Sequence, residues 1–461
     1  MQTIKKAVTI ILVLLFLIIL SNQAEINSAP NAKVSAKNNI STRTHYSPSD
    51  VGMSATTLGK IDSIVKDGIK NRVFPGCQIM VMKEGKPIYD KCFGNYTYES
   101  AQKVTPTTLY DLASLSKTTG TLLAVMKLYD NNKLQITDKA SKYITFLRGT
   151  NKESITIKEL LFHESGLPAG LPFYKLAIEK NNTPTFIIGI KDETHLVKLN
   201  STTMKYKWDW VSKIQTAEFQ TQVSDSFYLS NRFHKAAMQM IADTHLNSKA
   251  YVYSCINFIL LKEIVETISG ISMDEFLNQE FYTPMKLSTM TYLPLQTRNK
   301  EEITPTLKKD FLRNGEVRGY VHDPDAAFLG GVSGNAGLFA SAADVAIVHQ
   351  MLLNKGELDG ERYLSAITCD FFTTTVSPSG RRGLGYDKPV PAPKSSPCCT
   401  SAPSTVYGHT GYTGTCCWVD PTNNLIYVFL SNRTYPNDGI NKLAKTGIRT
   451  KIQEVVYQSM K

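Results

Sequence analysis

The 461-residue sequence predicts an α+β fold: an α/β lobe whose antiparallel sheet, flanked by helices, is built from both ends of the chain, with a mostly helical lobe inserted between them. Three observations predict it. Strand-like runs at 77–83 and 86–93 follow an amphipathic helical run at 54–71, in which Leu58, Ile61, Val65 and Ile69 recur at helical spacing. From Ser114 to about Leu353 the pattern is mostly helical, as at 262–277 and 342–353. The last third returns to strands at 406–411, 415–419 and 425–430, an antiparallel meander, before a closing helix at 440–460.

Lys5 and Lys6, the apolar run from Ala7 to Leu20 and the polar Ser21-Asn22-Gln23-Ala24 have the layout of a secretory signal peptide, so residues 1–24 are expected to direct export to the periplasm or the medium. The apolar run is shorter than the ~20 residues that span a bilayer, and membrane contact is expected only through this segment, if it stays uncleaved. A polar linker is expected over 25–50 and one folded domain over 51–461, with the helical lobe at about 114–353. A two-residue turn at Glu84-Gly85 would set Cys77 opposite Cys92 on neighbouring strands, as packed small residues or as a disulfide. The long aromatic stretch 171–249, with Trp208, Trp210 and Phe227, reads either as a surface excursion or as a wall of the site. The polar stretch 388–404 is placed to lie over the cleft mouth.

Serine followed three residues later by lysine occurs at Ser63/Lys66, Ser100/Lys103 and Ser114/Lys117. The first pair lies in the amphipathic helix and the second in a run of turn-formers, where surface serines are the better reading. Ser114 instead follows an extended run, 108–113, and opens a strongly apolar helical segment containing Leu122, Leu123, Val125 and Met126. Residues i and i+3 share a helix face, so the Lys117 amine can reach the Ser114 hydroxyl. If burial and neighbouring positive charge lower its pKa, the neutral amine can take the hydroxyl proton, and the helix N-terminus favours the negative charge that develops.

Two further elements, Tyr253-Ser254-Cys255 and His409-Thr410-Gly411, follow in order. So do 160–167 (LLFHESGL), 321–323 (VHD), 330–339 (GGVSGNAGLF), 382–386 (RGLGY) and 430–433 (LSNR). On these residues the chain, from about Gly52 onward, resembles the penicillin-binding-protein-like, class C β-lactamase-like superfamily of serine hydrolases. The resemblance implies a β-lactamase/transpeptidase-like fold, with Ser114 as nucleophile, Lys117 as its activating partner and Tyr253 as the phenol that relays the leaving-group proton. It places His409, Thr410 and Gly411 on the strand lining the cleft, and the N–H groups of Tyr412 and Ser114 in an oxyanion hole.

The chain departs from that pattern twice. His409 stands where the family usually has lysine, and histidine is mostly neutral at pH 7 unless its surroundings favour the imidazolium. Cys255 stands where asparagine is usual, and a thiol offers only a weak donor and acceptor to a substrate amide. Both tilt the reading toward an esterase or transacylase and away from a β-lactamase or D-Ala-D-Ala peptidase. Partners are then a small-molecule or peptide-like acyl substrate and an alcohol or amine acceptor; a slowly acylating β-lactam sensor is the rival of another class. Fifty-one Lys and Arg against forty Asp and Glu give a net charge of +11, yet the basic residues are scattered and lack the stripe of a nucleic-acid interface. Eight cysteines include the vicinal pairs Cys398-Cys399 and Cys416-Cys417, with no Cys-x-x-Cys or His-Glu-x-x-His spacing. No metal or cofactor is expected.

Overall fold

A computed structural model describes residues 46–178, 196–199, 202–313, 315–380, 382–391 and 396–460. The expected signal segment, 1–24, and most of the expected linker, 25–50, lie outside the described residues. Helix α1 (Ala55–Lys70) starts where the Ser54 side chain accepts the Thr57 N–H at 3.2 Å and buries Leu58, Ile61 and Val65. Those three side chains, at about 1.5–3 kcal/mol each, outweigh the roughly 1 kcal/mol each that Gly59 and Gly68 cost inside a helix. Gly68 has a packing reason: a Cβ there would meet Ile448 Cδ1 at 2.9 Å.

The hairpin β1 (Gly76–Lys83) and β2 (Lys86–Gly94) turns at Glu84-Gly85, as the sequence indicates. Its ladder slips by one residue: Val81 pairs with Tyr89 but Met82 with Pro87, which has no N–H to donate. The slip corrects the pairing expected for the cysteines. Cys77 faces Phe93 and Cys92 faces Gln78, so the two thiols leave the ladder on opposite faces, and all eight cysteines are free.

Helix α2 (Leu122–Asp130) follows the Ser114 turn, helix α3 (Cys255–Ser269) follows Tyr253, and helix α4 (Ala342–Leu353) precedes the terminal strands. The helix expected over 262–277 is two pieces, because Gly270 at φ 77° ends α3 before Met273–Leu277 begins. Strands β3 (Tyr407–Thr410), β4 (Cys416–Asp420) and β5 (Leu425–Ser431) form the expected meander. The closing helix likewise breaks at Gly447, leaving Lys442–Thr446 and α5 (Ile448–Gln458).

The sheet runs β3-β4-β5-β1-β2, every neighbour antiparallel, so the two chain ends meet where β5 pairs with β1 from Ser431↔Cys77 to Leu425↔Lys83. The alternation of β1 then divides the packing. Cys77, Ile79 and Val81 enter a core with α1 and α5. Gln78 points the other way, where its amide oxygen accepts the Ala342 N–H at the start of α4 at 2.8 Å. With both faces covered, β5 is buried along its whole length. The architecture is α+β, as predicted.

The stretch 171–249 contributes a small three-stranded sheet and the helix Phe233–Asp243. Its aromatics gather on Phe328, with Phe227 at 5.8 Å and Phe233 at 5.6 Å between ring centroids. Its described residues pack on that helix-borne ring, and none of them lines the cleft.

Candidate active site

The short strand Tyr110–Asp111 leads into a tight turn at Ala113–Leu115, then a π-helical turn, Lys117–Thr121, that runs into α2. Ala113 takes φ 47°, a left-handed conformation costly for a residue with a Cβ. The buried Asp111 carboxylate holds it there, accepting the N–H of Ala113 at 2.8 Å and of His322 at 2.6 Å. Ser114 is thereby presented within the turn, half-buried.

Its Oγ receives two donors: Lys117 Nζ at 2.9 Å and the Tyr253 hydroxyl at 2.8 Å. Lys117, fully buried, spends its other N–H groups on the Asn335 carbonyl at 2.8 Å and Cys255 Sγ at 3.6 Å. Burial works to lower the ammonium's pKa, but attraction to Cys255 and Tyr253 outweighs it and holds the group above its ordinary value. The condition for a neutral lysine base, a lowered pKa, is therefore not met. Burial raises the Tyr253 phenol, and Lys117 pulls it part of the way back. Ser114, Lys117 and Tyr253 therefore form one coupled proton-sharing unit rather than a lone lysine base.

Tyr253 is held from several sides. Its ring packs 4.7 Å from that of His163, which follows the helix Ile157–Phe162 with φ 57°. His163 Nδ1 accepts the Ser254 N–H at 3.0 Å and the Asn257 amide at 3.1 Å, and burial keeps this imidazole neutral. Lys117 Nζ lies 5.2 Å from the Tyr253 ring centroid.

His409 on β3 is buried, 5.9 Å from Tyr253 between ring centroids. Its Nδ1–H donates to the Thr410 carbonyl at 2.6 Å and its Nε2 accepts from Arg382 Nη2 at 3.2 Å. Burial lowers its pKa to about 3, Arg382 and Lys117 adding to the effect against Asp387, so the ring is neutral. Gly411 brings the strand against the nucleophile turn: a Cβ there would lie 2.5 Å from the Leu112 carbonyl oxygen and 2.0 Å from Thr415 Oγ1. Tyr412, 52% exposed, stands at the mouth between His322 at 5.5 Å and the Arg433 guanidinium at 4.2 Å.

Ser114, Tyr253, His409, Thr410, Gly411 and Tyr412 line one cleft of about 400 Å³. Cys255 and Lys117 lie behind it. Asp387 and Arg433 line it too, whereas the described residues of 389–404 border a separate cavity. Among the described residues, no group of three His, Cys, Asp or Glu could hold a metal ion.

A family model described as Beta-lactamase matches residues 61–446. The chain belongs to the Beta-lactamase family. Within it, the chain is 27% identical over 85% of its length, and 86% of the other's, to an Escherichia coli (strain K12) protein named "Putative D-alanyl-D-alanine carboxypeptidase". It is 28% identical over 83% of its length, and 82% of the other's, to a Bacillus subtilis (strain 168) protein named "N-acetylmuramyl-L-alanine amidase". Among solved structures, "EstCE1, a hydrolase with promiscuous acyltransferase activity" shares the fold at a TM-score of 0.60 and 17% identity, over 87% of this chain and 99% of its own. As a member of the Beta-lactamase family the protein is a serine hydrolase.

The sequence reading of this Beta-lactamase-family site left out three contributors. Asn335 acts through its backbone carbonyl, which no side-chain pattern announces. His163 and Arg382 both stood in quoted motifs, 160–167 and 382–386, without a role.

Proposed function

We propose that the protein is an exported hydrolase or acyltransferase that works through an acyl-Ser114 intermediate on ester or amide substrates, with ester cleavage or acyl transfer the favoured reaction. The observation that carries this is the pair of donors converging on Ser114 Oγ, Lys117 Nζ at 2.9 Å and the Tyr253 hydroxyl at 2.8 Å. Once the Tyr253–Lys117 unit has released one proton to solvent, Ser114 attacks a carbonyl, its own proton fills that vacancy, and the phenol passes it on to the leaving group. The N–H groups of Ser114 and Tyr412 receive the oxyanion. Water, an alcohol or an amine then takes the acyl group. The lean toward esters rests on Cys255, whose sulfur faces Lys117 and offers no amide to a peptide-like side chain, and on a neutral His409. Export is supported by Lys5, Lys6 and the apolar run that follows.

A second reading, a D-alanyl-D-alanine-type carboxypeptidase, draws support from Arg433. This guanidinium lines the cleft at 4% exposure, and its buried Nη1 and Nη2 have no hydrogen-bond partner among the described residues, so a shift of the Tyr412 ring stacked on it would open two donor nitrogens to a substrate carboxylate.

Intact-protein mass spectrometry of the chain and of S114A, exposed to a fluorophosphonate, a short-chain aryl ester and a penicillin, tests both. Rapid ester turnover lost in S114A, with little penicillin adduct, is the expected result. A Ser114-dependent penicillin adduct, or release of D-Ala from a D-Ala-D-Ala peptide, moves the protein to the second reading. No adduct on Ser114 with any probe removes both.

A further inference from the structure

Arg382 is fully buried beside the proposed proton-transfer unit, yet the acyl-enzyme steps above do not use it. It sits on a short hairpin, 382–387, whose Asp387 exchanges backbone hydrogen bonds with Gly408 at 2.8 and 3.2 Å, so the hairpin docks on the free edge of β3. One arm of the guanidinium pairs with the Asp387 carboxylate through Nη1. The other donates from Nη2 to His409 Nε2 at 3.2 Å. Its Cζ lies 5.7 Å from the Tyr253 ring centroid, so this phenol ring has Lys117 and Arg382 both within cation–π range.

The hydrogen bonds fix the chemistry of His409. A guanidinium only donates and a carbonyl only accepts, so Nε2 carries the lone pair and Nδ1 the proton. A ring in that state brings no charge to the strand, although the position is one where the resemblance leads one to expect lysine. A guanidinium remains charged across the working pH range and keeps a planar fork that reaches the carboxylate and the imidazole together.

We propose that Arg382 is the positioning residue of this site, locking His409 as a neutral Nδ1–H imidazole and supplying, from the neighbouring hairpin, the fixed positive charge beside Tyr253 that the third motif itself lacks. The proposal rests on the acyl-Ser114 reading for its catalytic consequence. The titratable groups facing Tyr253 are Lys117 from the nucleophile turn, Cys255 from α3, His163, and His409 with Arg382 and Asp387 behind it; Asp323 acts on Lys117. Loss of a neighbouring cation raises the pKa of both a phenol and an ammonium, so whichever member of the unit releases the proton, the acidic limb of the pH–rate profile must move to higher pH.

The experiment measures the rate of Ser114 labelling by a neutral fluorophosphonate against pH. R382Q removes the cation and keeps the Asp387 carboxylate, and D387N does the reverse. The expected result for R382Q is an acidic limb raised by about one unit and labelling slowed about tenfold below it, with recovery of the limb when H409K is added; in D387N the limb should not rise. R382K keeps the charge and should hold the limb at the wild-type pH if R382Q does not fold. Ring nitrogen NMR of His409 should report Nδ1–H in the wild-type protein. An unmoved limb in R382Q, no recovery with H409K, a limb raised in D387N or in R382K as far as in R382Q, or an Nε2–H ring in the wild type overturns the proposal. Absence of labelling in the wild type would instead defeat the acyl-enzyme reading, so the two failures are told apart.

Discussion

Tyr253 is the residue on which the proposed chemistry turns, because its hydroxyl, brought from a segment distant in sequence, donates to Ser114 Oγ at 2.8 Å. Removing that oxygen leaves the ring to pack on His163, 4.7 Å away, so the fold should survive. Y253F is therefore expected to slow Ser114 acylation by about 10²–10⁴-fold, the usual share of a positioned acid–base group, with the melting temperature nearly unchanged. Ester turnover and thermal unfolding of the two proteins check this, and wild-type rates in Y253F would take the phenol out of the mechanism. Ser114, Lys117 and Tyr253 were legible together, through the co-linear motifs and the resemblance they carry, whereas Tyr253 alone, in a hydrophobic run, reads as a packed aromatic. The Asn335 carbonyl was not, since a backbone acceptor carries no residue signature, and the direction of the Lys117 pKa depended on Cys255 and Tyr253 arriving from far along the chain.

The site depends at the next scale on how β3 leans against the nucleophile turn. Gly411 permits a contact that a Cβ, 2.5 Å from the Leu112 carbonyl oxygen and 2.0 Å from Thr415 Oγ1, would forbid. Thr415 Oγ1 itself donates to that Leu112 carbonyl at 2.9 Å, so neither neighbour can yield without moving the strand or the turn. G411A should thus push Tyr412 away from Ser114 and lower ester turnover by about 10²-fold, the cost of a displacement of about 1 Å at a reacting centre. The check is kcat/KM beside a melting curve; activity within a factor of two of wild type would mean the strand's approach is dispensable. Strand and helix runs could be read from period alone, but their interruptions could not. The slip beside Pro87 moved Cys77 away from Cys92, and Gly270 and Gly447 each divided a helix whose apolar pattern continued past them.

At the scale of the whole molecule, both chain ends share one sheet, and the segments between have to be fastened to it and to one another. One fastening is Asp325, at the start of the helix Pro324–Phe328, whose carboxyl takes backbone N–H groups from Leu171 and Phe173, where the aromatic insertion begins. The order of segments was legible from alternating period, but this attachment, which joins residues about 150 positions apart and involves a carboxyl with ordinary neighbours in sequence, was not. Burial first and then the adjacent Asp323 push its pKa up to about 8. An unfolded aspartate titrates near about 3.9, so between roughly pH 4 and pH 8 the folded protein keeps a proton that the unfolded chain releases. Stability must then fall as pH rises through that window and level off above it. D325N cannot titrate, and its amide oxygen still accepts a backbone N–H. The melting temperature of wild type relative to D325N should therefore decline steadily from pH 4.5 to pH 8.5. Differential scanning calorimetry of both proteins at those two pH values measures it; a difference that stays constant, or a wild type that gains on D325N as pH rises, would mean that Asp325 is already ionised in the folded protein.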